Sequence, residues 1–296
     1  MDQLLQTVLQ GVLLGGLYCL FALGLSLMYG VMRLTNTAQG DFILLGSFAS
    51  IAAMAGVKLL LPDSVYLPLL LSPLLLLPAF GVGFVLQRQV LNRVLGKDPL
   101  PSLVVTFGLS IVIQNLLLEI FSADPRSIDS LGLNTASLAL PGGIAIGVLP
   151  LLIFLLALTT TFVLQWVFHH TTLGRSFRAV SDDLEIAQLM GLNAKRIYAC
   201  ATGIAFMLIT VAGVLQAMRT TVSPSDGPML LLFAFESVII GGMGSFWGTL
   251  AGALLLGITQ QIGFRFDPGW GIWFGHIVFL LLLLVRPQGL FPKTAG

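Results

Sequence analysis

Long apolar runs broken by short polar stretches dominate the chain, and a spanning helix needs about 20 mostly apolar residues. By that measure residues 5–29, 40–60, 66–87, 100–121, 144–167, 197–219, 246–264 and 270–285 each form a membrane helix. A ninth apolar stretch, 229–243, is shorter, carries Glu236 and ends in Gly241 and Gly242, so it reads either as a span or as a broken, re-entrant segment. The expected fold is therefore an all-α polytopic membrane protein with eight or nine transmembrane helices. Pro68, Pro73 and Pro78 should bend the third of them, because proline removes a backbone donor. Residues 122–143, with Pro125, Pro141 and paired glycines, read as an ordered cap or as a plain connector, the connector being the simpler reading.

Composition agrees with the pattern. Of 296 residues 56% are hydrophobic and 9% charged, against roughly 25% charged in a soluble domain. That surface suits lipid and cannot clothe a soluble protein. A net charge of +1 with scattered basic residues excludes a phosphate-neutralising stripe, and with it a nucleic-acid partner. Cys19 and Cys200 lie in apolar runs, where packing explains them better than a disulfide or a metal. The N-terminus has Asp2 before its first Lys or Arg, and no small-residue cleavage signature, so the first apolar run is expected to be retained.

Lys and Arg concentrate in cytoplasmic loops, and this sets topology. Arg88, Arg93 and Lys97 form one basic loop; Arg175, Arg178, Lys195 and Arg196 form another, two spans later. Nine crossings place ten basic residues inside, Arg33, Arg286 and Lys293 among them, and four outside (Lys58, Arg126, Arg219, Arg265). If 229–243 does not cross, the count is nine against five.

No Gly-x-x-x-x-Gly-Lys-Ser/Thr phosphate loop occurs; Gly96-Lys97-Asp98 lacks the spacing and the hydroxyl. Energy for active transport would have to come from an ion gradient or a separate ATPase. Ser245 with His276 is the best pair a membrane hydrolase could use, but no third orienting group accompanies it. His169 and His170 fall at a helix C-terminal end, where headgroups or the helix dipole account for them better than a metal.

Ionisable and amide side chains at membrane depth are costly and by default face a bundle interior or a hydrated path. Asn36, Asp41, Gln114, Asn115 and Glu236 are the candidate pathway residues. Interhelical hydrogen bonding explains Gln114 and Asn115 equally well, and helix capping by Asn36 or Thr37 is the plain account of the stretch leading to Asp41. Gly40, Gly46, Gly241, Gly242, Gly244, Gly248 and Gly252 are expected to let helices approach closely. Gly40-Asp41-Phe42 and Gly244-Ser245-Phe246 resemble one another and suggest a short internal repeat.

The loop 169–196 is polar and too long for a turn. Asp182 can cap a short helix, Glu185 can return the bond, Gly191 fits its left-handed end and Asn193 caps the next span. Leu184, Ala187 and Met190 give that helix a small apolar side, suited to a partner's groove or to lipid headgroups.

Three stretches resemble the inner-membrane permeases of branched-chain amino acid ABC importers: Asn36-Thr37-Ala38-Gln39-Gly40-Asp41, Arg178 through Asn193, and Gly241 to Gly257. Gln39 stands where a His is frequent and Thr249 where an Ala is usual. The resemblance implies that 1–296 is one transmembrane permease domain of a bacterial inner membrane, without a cofactor of its own. It implies a related second permease, two cytoplasmic ATPases that bind ATP, and an external solute-binding protein as partners. It also implies coupling to the ATPases through Arg178, Asp182, Asp183, Glu185 and Gly191. A secondary transporter or channel for a small polar solute is the alternative.

Overall fold

A long buried helix organises the molecule. The structure, a computed structural model, describes residues 2–60, 72–96, 98–140 and 144–291. Helix α1, Asp2–Met32, is apolar on every side and has 31 residues, about 46 Å of helix. A helix without a polar face belongs in the interior, and from Leu13 to Met32 most of its side chains are enclosed. Around it stand α2 (Gln39–Leu60), α5 (Val148–His170), α8 (Ala194–Arg219), α9 (Gly227–Gly241) and α10 (Phe246–Phe266). Peripheral to these are α3 (Leu76–Leu86), α4 (Leu100–Phe121) and α11 (Trp270–Val285), with the short helices α6 (Thr172–Asp182) and α7 (Leu184–Leu189) at one end. Val82, Val104, Phe162 and Leu280 are exposed on outward faces, the surface that lipid requires. The chain is an all-helical polytopic membrane protein, its one sheet among the described residues being the hairpin β1 (Ser137–Leu140) and β2 (Ile144–Gly147).

Among the described residues six helices are long and apolar enough to cross a membrane singly; α9 and α10 qualify only together, bent by 118° at the break between them. With 15 residues α9 reaches about 22 Å, short of the roughly 30 Å hydrocarbon layer. It therefore begins inside the bundle's length, with Gly227 against Asp41, and at its other end Gly242 and Gly244, at φ +100° and +83°, make the reversal into α10. Side chains rarely adopt such angles, which is why glycine stands there.

Helix α10 runs antiparallel to α1. Gly11 and Gly15 meet the backbone of Gly257 and Ala253, Ser26 accepts from Thr249 at 2.9 Å, and Gly30 meets Gly244. Arg265 donates to Gln3 at the far end. Arg33, Arg88, the loop from Arg175 to Arg196, and Arg286 consequently share one end of the molecule: Ser181 donates to Gly30 O, Asn92 to Lys195 O, and Leu290 N to Ile240 O. This is the basic end, and the charge rule makes it cytoplasmic. Arg286 falls on the side that nine crossings gave it.

Several expectations change in detail. Pro73 lies in a 3₁₀ turn, Ser72–Leu75, and Pro78 in the first turn of α3, where a missing N–H costs nothing. The irregularity of this span is instead a π-turn at Gln87–Leu91, running on to Asn92–Val94. Pro68, Lys97, Pro141, the paired glycines 142–143 and Lys293 lie outside the described residues. The segment after α4 is an ordered cap rather than a plain connector: Arg126 and Val222 exchange main-chain bonds, Ile128 N donates to Ala217 O and Asn134 to Met218 O. The two similar Gly-x-Phe stretches each open a helix, but at different depths, since Gln39 meets Phe21 and Gly24 of α1 whereas Gly244 meets Gly30.

Candidate functional site

Asp41 sits deep within the bundle because the chain folds back before α2 begins. Residues 33–38 return along α1, and Gln39 donates to Phe21 O at 3.0 Å, eighteen residues earlier. Asn36, 1% exposed, caps the turn by accepting from Ala38 N at 3.1 Å. Asp41, 2% exposed, then accepts from Ser110 at 2.5 Å, and Ser110 is in the middle of the 22-residue α4. Its other oxygen, Oδ1, has no hydrogen-bond partner and lies against Gly227, the first residue of α9. The positive end of that helix dipole offsets the carboxylate's charge. A Cβ on Gly40 would collide with Gly227 O and Leu231 N, so glycine at 40 permits α2 and α9 to meet at this point.

The seam between α2 and α4 is polar. Thr37 and Thr106 hydroxyls are 2.8 Å apart, one turn before the Asp41–Ser110 contact. Ser102, Thr106, Ser110 and Gln114 follow one another at intervals of four along α4 and share a face. Gln114 thus continues a ladder that the sequence alone displays as a spacing. Asn115 is different: it is exposed on the outer side of α4 and donates to Ile111 O in its own helix.

Glu236 belongs to a second cluster. It is 3% exposed on α9 and accepts from His276 Nδ1 of α11 at 2.5 Å. Phe233, one turn earlier, stacks between His276 and Tyr18 of α1. Tyr18 donates to Gln260 of α10 at 2.6 Å. Four helices therefore meet through one aromatic and polar cluster. His276 as the partner of Glu236 was not readable, because 40 residues separate them. Ser245 caps α10 by accepting from Gly248 N at 3.1 Å. With Ser245 engaged in the cap and His276 bonded to Glu236, the Ser–His hydrolase pairing finds no support.

The small residues behave as close-approach sites in most places. Gly46 packs on Thr210 Cα of α8, and Gly248 and Gly252 of α10 pack on Gly241 and Ser237 of α9. Gly242 and Gly244 serve the reversal between α9 and α10, and Gly244 also touches Gly30. Cys19 is buried and within 3.6 Å of the Thr161 hydroxyl; it and Cys200 are free thiols.

At the cytoplasmic end the loop is two helices where one was expected. Thr171 caps α6, which carries buried Phe177 and Val180. Because α6 continues through Asp182, that residue's backbone is helical and cannot cap the next helix. Asp183, extended at φ −145°, ψ 110°, caps α7 instead by accepting from Ile186 N at 2.9 Å. The cap is one residue later than predicted from Asp182, and Glu185 becomes the second residue of α7, out of register for a returned bond. Gly191, at φ +85°, ends the turn, and Asn193 caps α8 by accepting from Arg196 N.

The pair is firmly held. Arg178 donates to Phe168 O, Ser181 to Gly30 O, and Val180, Ala187 and Ala194 form their own small core. Of the apolar side predicted for α7 only Ala187 is buried. Leu184 is exposed, as are Ile186, Leu189 at 87% and Met190 at 79%, beside the carboxylates of Asp182, Asp183 and Glu185.

Comparison with known proteins bears directly on this arrangement. The family described as branched-chain amino acid transport system / permease component matches residues 7–286. The high-affinity branched-chain amino acid transport system permease protein BraD of Pseudomonas aeruginosa is 29% identical, over 98% of this chain and 96% of its own. LivH of Escherichia coli strain K12, a permease protein of the same description, is 26% identical over the same shares. LivM of that strain is 27% identical over 94% of this chain and 68% of its own length. With the match extending from the first turns of α1 to the end of α11, the chain belongs to the family of permease components of branched-chain amino acid transport systems.

Proposed function

We propose that the chain is the permease subunit of an ATP-binding-cassette importer that carries branched-chain or related amino acids across a bacterial inner membrane. A related second permease, two cytoplasmic ATPases and an external solute-binding protein complete the machine. The names of the relatives, which include both LivH and LivM permeases, support this reading.

The observation that carries it is the tip of α7. Leu189 and Met190 protrude into the cytoplasm from a helix pair that is itself locked to α1 and α5. Exposed apolar side chains on a rigid mount are what a partner's groove needs in order to push. Arg178 fixes the mount, Asp182, Asp183 and Glu185 ring the tip with charge, and Gly191 shapes its exit. Solute passes along the α2/α4 seam, past Asn36, Asp41 and Gln114, with Asn115 at its outward edge; Glu236 holds α9, the broken segment that borders Asp41. ATP binds the partner subunits, and no cofactor is assigned to this chain.

The test is co-purification and uptake with L189E/M190E. Loss of ATPase association and of uptake, with normal membrane insertion, supports the reading. Retained association refutes the role of the tip, and uptake by the permease alone in ATP-free vesicles would favour a secondary transporter or channel.

A further inference from the structure

A basic cleft at the cytoplasmic end has no part in solute passage or in the α7 tip. It encloses about 560 Å³ and is lined by Phe84, Arg88, Asn92, Asn193, Lys195 and Arg196. Three of the six are cationic and none is acidic. The ion pair found among the described residues is Glu236–His276, so these three exposed cations line one cleft with no acidic residue in its lining. Like charges gathered in this way repel unless an anion sits among them.

The walls are fixed by an internal chain of hydrogen bonds. Thr202 donates to Gln87 at 2.8 Å, Gln87 to Asn92 at 3.0 Å, and Asn92 to Lys195 O at 3.1 Å. Gln87 is fully buried. The π-turn Gln87–Leu91 lies in this wall and carries Arg88; such turns are frequent at functional sites. On the other wall Asn193 caps α8, whose positive end opens beside Lys195 and Arg196. Depth identifies the anion. Phe84 is one turn toward the membrane from Arg88, and Val82 and Val85 on the same helix are exposed apolar residues of the lipid-facing surface. A headgroup in the cleft would have its acyl chains lying along α3.

We infer that the cleft between the π-turn of the α3 span and the N-terminus of α8 binds the phosphate of an anionic phospholipid headgroup in the cytoplasmic leaflet. Basic pockets between membrane helices on this side recognise such headgroups by charge and by depth together.

The full-length chain, released from nanodiscs holding equal phosphatidylglycerol and phosphatidylcholine, is weighed by native mass spectrometry to count retained lipids. Wild-type protein retains phosphatidylglycerol in preference. In R88Q/K195Q/R196Q the preference falls by about fivefold or more, while R88K/R196K and K58Q keep it. If the triple variant does not yield folded protein, the single variant R196Q and the wild-type salt dependence decide, since a charge-held lipid is lost as salt rises. An unchanged preference in the neutralised variants overturns the inference. Displacement of the lipid by millimolar inorganic phosphate alone also overturns it, in favour of a free-anion site. Unchanged lipid retention with loss of bound ATPase would make the cleft part of the partner interface instead.

Discussion

His276 Nδ1 and Glu236 Oε1 are 2.5 Å apart, and this contact ties the half-length helix α9 to α11 at the periphery of the bundle. Glu236 Oε2 has no partner, so the histidine is the residue that answers a carboxylate otherwise alone in an apolar core. Removing one member of a buried pair leaves the other uncompensated. H276A is expected to destabilise the protein by about 3 kcal/mol. E236Q/H276N, which removes the charge and keeps polar groups on both helices, should cost clearly less. Thermal unfolding in detergent measures both, and equal losses would remove the pair from the stabilising contacts.

Gly40 and Gly56 are on the same helix and make opposite predictions. A methyl on Gly40 collides with the backbone of α9, whereas nothing lies within 4 Å of a Cβ on Gly56. G40A should cost about 1–3 kcal/mol, the range for overpacking, and G56A should leave the melting temperature unchanged or raise it slightly. Similar behaviour of the two variants would mean that α2 and α9 do not meet at Gly40.

Ser110 is the hydrogen-bond donor to Asp41, whose second oxygen is already without a partner. S110A is therefore expected to cost about 1–3 kcal/mol, the desolvation penalty of a group left unsatisfied. N115A, exposed and bonded within its own helix, should stay within about 0.5 kcal/mol. If uptake fails in N115A while its stability holds, the amide touches solute. If uptake is also unaffected, Asn115 drops out of the path.

The cap of α7 distinguishes two adjacent aspartates. D183A removes the side chain that accepts from Ile186 N and should lower stability by about 1 kcal/mol. D182A, at the last position of α6, should have less than half that effect. Hydrogen exchange at Ile186 would show the change directly: faster in D183A, unaltered in D182A. The reverse order would restore the cap to Asp182.

Gly191 tests backbone strain without crowding. Its φ is +85°, and a Cβ there would meet open space. G191V should cost about 1–2 kcal/mol and loosen α7; G191N, which tolerates the left-handed region, should cost less. Proteolysis of the 169–196 loop reads the difference. A penalty as large for Asn as for Val would point to contact with a partner rather than to φ.

Most spans were legible because lipid leaves the backbone one option within a single segment. The predicted 100–121 and 270–285 coincide with α4 and α11, and 40–60 with α2 to within one residue. The loop 169–196 was half legible. Its terminal glycine and the Asn193 cap were read correctly, since each depends on one residue's own conformation. The helix from Thr172 to Asp182 was missed because the apolar side chains it buries, Phe177 and Val180, are few and its length is 11 residues; that helix in turn displaced the cap by one. Among candidate site residues, Asp41, Gln114 and Glu236 were visible as polar groups at depth. Their partners were not, because Ser110 is 69 and His276 is 40 residues away.

By itself the sequence determined a helical, multi-pass membrane protein with a basic cytoplasmic end, since apolar length and Lys/Arg placement are properties of each segment alone. Tertiary structure decided the depth at which α2 and α9 begin, which carboxylate meets Ser110 and which meets His276, and the gathering of Arg88 with Lys195 and Arg196. Hydrocarbon obliges every peptide group to bond within its own helix but leaves open which helices touch. That choice is made by close packing at glycines and by the need of each buried polar group for a partner.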